Sequence, residues 1–71
     1  MKLPLVSGRE VVRVLERIGY YIERQRGSHI RLYHSDRTAV TVPDHYEIDR
    51  GMLRKILFDA GLSNEDFSNL L

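Results

Sequence analysis

Between Tyr20 and Pro43 residues that favour strands alternate with charged ones and are broken twice by short turn signals, and no other stretch so limits the fold. Tyr, Ile, Val and Thr are frequent there, the composition of strands that bury one face. The spacing predicts strands over 20–26, 29–34 and 38–43. Gly27-Ser28 and Ser35-Asp36-Arg37 are too short for a crossover, so neighbouring strands must be antiparallel hairpins. The expected unit is a three-stranded meander.

Such a sheet needs a cover for its apolar face, and both flanks supply one. Ser7-Gly8-Arg9-Glu10 has the S-x-x-E form of a capping box, which predicts a helix from about residue 8. Val11, Leu15 and Ile18 recur at i, i+4 and i+7, Val12 and Val14 widen the stripe, and Gly19 stands where a left-handed cap belongs. Beyond the strands, Asp49 can cap a second helix whose stripe is Leu53, Ile56, Leu57 and Ala60, ended by Gly61. Ser63 with Asp66 starts a short last helix carrying Phe67, Leu70 and Leu71. The expected fold class is α+β in the order α-β-β-β-α plus a short C-terminal helix, with the helices on one face of the antiparallel sheet. One domain over 1–71 accounts for the whole chain.

Register decides which side chains face solvent. A two-residue loop at Gly27-Ser28 pairs Arg26 with His29 and sets Ile22 on the opposite face from Ile30 and Leu32. A three-residue loop, Arg26-Gly27-Ser28, instead pairs Gln25 with His29, Glu23 with Arg31 and Tyr21 with Tyr33, and turns Tyr20, Ile22, Ile30 and Leu32 toward the helices. The second register is expected because it wastes no core residue. Its solvent face is Tyr21, Glu23, Gln25, His29, Arg31 and Tyr33, with Thr41 alongside.

Composition narrows the chemistry. A chain of 71 residues buries only roughly 60% of its unfolded surface, too little to engulf a large cofactor. With no cysteine, disulfides, thiolate nucleophiles and zinc-finger ligand sets are excluded. No apolar run approaches a membrane span and Met1-Lys2-Leu3-Pro4 lacks a signal-peptide core, so a soluble cytoplasmic protein is expected. Charge is divided unevenly: residues 1–37 hold eight cations against four anions, and residues 38–71 three against six. Nine of the eleven cations are Arg, whose planar fork matches phosphate oxygens. The N-terminal half can supply an anion-binding face, although Arg and Glu on a helix surface also serve solubility alone.

Three histidines are available for chemistry. His29 follows Gly27-Ser28 at a strand start, where turn N–H groups, the Ser28 hydroxyl and the Arg26 guanidinium can converge on one anion. Imidazole titrates near roughly 6.5 and can accept a proton at neutral pH; the same position also suits an ordinary surface histidine. His34 at a strand end reads as structural, and His45 in Pro43-Asp44-His45-Tyr46 is a secondary candidate. There is no G-x-x-x-x-G-K loop, G-x-S-x-G elbow or H-E-x-x-H pair. Asp36 with His34, or Asp44 with His45, is too few ligands for a metal site, so neither metal nor cofactor is expected. One His with Arg and backbone donors suits phosphodiester chemistry on a substrate that carries its own nucleophile, as RNA does in its 2′-hydroxyl.

The run Arg24-Gln25-Arg26-Gly27-Ser28-His29-Ile30-Arg31-Leu32 resembles the R-x-x-G-S-H hairpin of the HicA toxin family of toxin–antitoxin pairs. The resemblance continues through Lys2-Leu3-Pro4, Ser7-Gly8, Gly19-Tyr20, Val40-Thr41-Val42-Pro43, His45, Arg50-Gly51, Leu53, Ile56, Leu57, Ala60-Gly61-Leu62-Ser63 and Phe67. It departs from the family pattern at Ser35-Asp36-Arg37, where many members have an Asp-Gly turn, and in a shorter 43–48 loop. What the resemblance implies is a fold similar to double-stranded-RNA-binding domains, mRNA interferase activity on single-stranded RNA, inhibition by a HicB-like antitoxin, and His29 as the catalytic histidine. On that expectation His29 is general base, and Arg24, Arg26, Gly27, Ser28 and Arg31 hold the phosphate. His45, Tyr33 and Gln25 are secondary contacts. The alternatives are a non-catalytic RNA-binding module using the same basic face, and a small protein-interaction domain.

Overall fold

The computed structural model describes residues 3–71; Lys2, counted among the N-terminal cations, lies outside the described residues. Helix α1 (Gly8–Arg17) starts at the S-x-x-E pattern. Ser7 Oγ accepts the Glu10 N–H at 3.1 Å, and Glu10 Oε1 accepts the Ser7 N–H at 2.8 Å, so donors without an intrahelical partner are satisfied. Strands β1 (Tyr21–Arg26), β2 (His29–Tyr33) and β3 (Val40–Pro43) form an antiparallel sheet in the order β1-β2-β3. Helix α2 (Arg50–Ala60) is capped by Asp49, whose carboxylate accepts from the Gly51 and Met52 N–H groups, and ends at Gly61 in the left-handed region. Helix α3 (Asn64–Leu70) opens on the reciprocal Ser63–Asp66 box.

The chain is therefore α+β with helices on one face of a three-stranded sheet, as its periodicities require. Val11 and Leu15 of α1, Leu53 and Leu57 of α2, Phe67 of α3, and Ile30, Leu32 and Val42 of the sheet are fully buried in one core. Both α1 and α2 pack on β3, and α3 closes against the two helices. No buried side-chain polar atom among the described residues lacks a partner.

The expected register of the first hairpin is corrected. The pairs are Arg26↔His29, Gln25↔Ile30 and Arg24↔Arg31, then Ile22↔Leu32 and Tyr21↔Tyr33, with a bulge between Ile22 and Arg24. The turn is thus the two-residue Gly27-Ser28 loop, and Glu23 is the extra residue that restores the inward phase of Ile22. Phase alone does not bury Ile22, which is 41% exposed. All six residues of β1 are exposed, because the helix layer covers β3 and β2 and leaves β1 overhanging.

The N-terminal segment is fixed by contacts that no local pattern announces. Val6 and Ile48 form an isolated antiparallel bridge, with the Ile48 N–H donating to Val6 O at 2.7 Å. Arg50 Nε donates to Leu3 O at 2.7 Å. Gly8 then meets the end of β3: its N–H donates to His45 O at 2.9 Å, and a Cβ there would collide with the Pro43 carbonyl. Gly8→Ala should therefore cost about 1–3 kcal/mol. Gly51→Ala, whose nearest neighbour would be Asp49 Oδ1 at 3.5 Å, should be neutral or stabilising by up to about 1 kcal/mol. Urea denaturation of the two variants checks this, and equal midpoints would contradict it.

Candidate functional site

The bulge sets the composition of the sheet's outer face. Residues paired across strands share a face, so Arg24, Arg26 and Tyr21 of β1 stand with His29, Arg31 and Tyr33 of β2 and with Thr41 and Pro43 of β3. The expected register puts Glu23 and Gln25 on this face; the observed one exchanges them for two arginines. Arg24 lies directly opposite Arg31, a like-charge pair that a sheet tolerates at a cost of roughly 0.2–1 kcal/mol. Among the described residues its acidic relief is a loose Glu23 contact with Arg24 at 3.7 Å. Arg31 is held in place: Nη1 donates to Thr41 Oγ1 at 2.8 Å, and its guanidinium lies 5.7 Å from the Tyr33 ring centre. His29 is exposed at the strand start beside Arg26.

The turn that precedes His29 is clamped from behind. Gly27 adopts φ 54° with open space around it, so its backbone conformation rather than any contact selects glycine. The Asp44 N–H donates to Ser28 O at 2.6 Å. Gln25 Nε2 donates to Gly27 O and to Asp44 Oδ2, each at 3.0 Å. Arg9, at the start of α1, donates to both Asp44 oxygens at 3.1 and 2.9 Å. The Arg9 hydrogen bond, then that from Gln25, holds the Asp44 carboxyl below its ordinary value. Helix, loop and hairpin thus meet at one carboxylate, which fixes the Gly27-Ser28-His29 backbone.

The structure brings His29, Arg26, Gly27, Ser28, Arg31 and Arg24 together, keeps the secondary candidate Tyr33 on the same face beside Arg31, and sets Gln25 and His45 apart from it. Gln25 turns to the helix side as a strut of the clamp. Tyr33 packs edge-on against Tyr21 with ring centres 6.4 Å apart. His45 lines a shallow hollow with Ser7, Arg9, Asp44 and Tyr46, apart from the depression that His29 borders. His34 is structural: Nδ1 accepts the Asp36 N–H at 2.9 Å, so Nε2 carries the proton and donates to Ile18 O at 2.8 Å. With both ring nitrogens used, it is not a ligand. Among the described residues no three of His, Cys, Asp and Glu gather as a metal-binding group.

Arg9 and Asp44 are the members of this arrangement that sequence reasoning missed; they lie 35 positions apart. Asp44 is weighed there only as a ligand. Compared with known families, residues 8–62 match the family model described as HicA toxin of bacterial toxin-antitoxin. That span runs from the first residue of α1 to just beyond α2. No curated protein matches the chain.

Because the folded-state Asp44 value is depressed, the stability this tie contributes is present above the ordinary carboxylate range, near roughly pH 4. It is lost as pH falls through the lowered value. The thermal midpoints of the wild type and Asp44→Asn should lie furthest apart at neutral pH and converge on acidification. A gap that stays constant with pH would contradict the charged tie.

Proposed function

The chain belongs to the HicA family of toxins from bacterial toxin–antitoxin systems, and from that premise we propose that it is a metal-independent endoribonuclease acting on single-stranded messenger RNA. As a toxin of such a pair it has an antitoxin partner, which on this reading is HicB-like and neutralises the activity. No helix among the described residues is long and apolar enough to cross a membrane.

The observation that supports the activity best is the cationic outer face, relieved only by the loose Glu23 contact, on which His29 stands exposed. Arg24 and Arg31 face each other across the strands with His29 and Arg26 one step further along. An anion placed among them removes a repulsion the free protein carries, which favours a phosphate-bearing ligand over a neutral one. In the proposed reaction the His29 imidazole takes the proton of an RNA 2′-hydroxyl. The 2′-oxygen attacks the adjacent phosphorus, the bond from phosphorus to the 5′-oxygen breaks, and that oxygen gains a proton from imidazolium or water. The products are a 2′,3′-cyclic phosphate and a 5′-hydroxyl. Arg26, Arg31 and Arg24, with Ser28 and the turn amides, oppose the charge developing on the phosphoryl oxygens. The clamp through Asp44 keeps these amides in position before substrate arrives.

His29→Ala should keep its affinity for a single-stranded RNA within about twofold while turnover falls by roughly 10²–10⁴-fold, the usual worth of a general base. Equal cleavage by both proteins would contradict the assignment, and binding without cleavage by either would favour the non-catalytic module. Arg24→Gln should weaken RNA binding, with the salt slope reduced by about 0.7, yet raise stability by roughly a few tenths of a kcal/mol as the Arg31 repulsion is relieved.

A further inference from the structure

A groove of about 330 Å³ runs from His29 around the free edge of β3 to α2, and neither the turn chemistry nor the catalytic assignment accounts for it. Resting on the ribonuclease reading, we propose that this groove seats one nucleotide of the RNA strand next to the phosphate held at His29.

Its walls differ in character. Met52, Lys55, Ile56 and Asp59 of α2 lie at i, i+3, i+4 and i+7, one stripe of the helix, and all four line the groove. Met52 leaves 41% of its surface exposed, while Ile56 is buried. A thioether is polarisable and packs well against an aromatic ring. On the sheet side the groove is bordered by His29 and Arg31, so a strand leaving the phosphate site across β3 enters it directly.

Charge selects the occupant. Arg31 and Lys55 stand against a single carboxylate, Asp59, which holds Lys55 Nζ at 3.2 Å. The Lys55 side chain is 71% exposed, and an exposed i,i+4 pair is weak, so the ammonium can leave Asp59 for a phosphate at little cost. A ligand with a flat apolar ring and an anionic link fits this combination. The volume lies at the lower end of that of small-ligand pockets, enough for one nucleotide and not for a duplex.

The test uses His29→Ala as the parent, so that RNA stays intact, and measures affinity for a short single-stranded RNA over a range of salt. Added Met52→Ala should weaken binding by roughly two- to tenfold with the salt slope unchanged. Added Lys55→Ala should lower the slope by about 0.7, one phosphate contact on a single strand. Arg54→Ala, which removes a cation of the same helix outside the groove, should shift affinity by less than about twofold. If the parent binds RNA but Met52→Ala does not weaken it, or Lys55→Ala equals Arg54→Ala, the groove assignment fails and the ribonuclease reading stands. A parent that does not bind RNA overturns both. Unchanged RNA affinity with weakened inhibition by the cognate antitoxin overturns the nucleotide in favour of a protein occupant.

Discussion

One unpaired residue in β1 decides what this sheet presents to solvent. A strand has a period of two, so the register of a hairpin fixes every side chain's face at once. The Gly27-Ser28 turn sets Arg26 beside His29, and the bulge at Glu23 then resets the phase for Ile22 and Tyr21. Without the bulge, one end of β1 has to sacrifice its packing. With it, Arg24 and Arg26 join Arg31 and His29 on the outer face while Ile22 pairs with Leu32 on the helix-facing side, where only Leu32 is buried. The concentration of positive charge is therefore a property of backbone geometry as much as of composition.

The rest of the molecule holds that geometry still. β1 overhangs the helices and gains little from the core, so the turn at its end relies on polar ties. Asp44 supplies them by joining Arg9, Gln25 and the Ser28 carbonyl, and Gly8 lets α1 approach close enough to Pro43 for Arg9 to reach. Val6 and Ile48 bind the other end of the same loop. A rigid hairpin backbone matters for a site that depends on donors aimed in advance at a developing charge.

What was legible in the sequence is what local chemistry writes. The Ser7–Glu10 and Ser63–Asp66 boxes, the Asp49 cap and the stops at Gly19 and Gly61 each depend on residues within a few positions, and the structure has all of them. The apolar stripes of α1 and α2 are equally plain. The bulge was not legible, because an extra residue in a strand shows only when its partner is known, and both registers satisfy the same turn signal. Nor was the Arg9–Asp44 tie, which joins a helix start to a loop beyond the sheet. His29 and its arginines are candidates by residue type and by the family hairpin; which of them share a face comes only from the pairing.

On the proposed reading, His29 activates the RNA's own 2′-hydroxyl on this face. The most direct measurement is the chemistry of the fragment ends when end-labelled single-stranded RNA is incubated with the protein in excess EDTA, wild type beside His29→Ala. The wild type should give 2′,3′-cyclic phosphate and 5′-hydroxyl ends, and the variant the same ends at a rate lower by roughly 10²–10⁴-fold. Fragments with 5′-phosphate ends, or cyclic ends formed as fast by the variant as by the wild type, would contradict that mechanism.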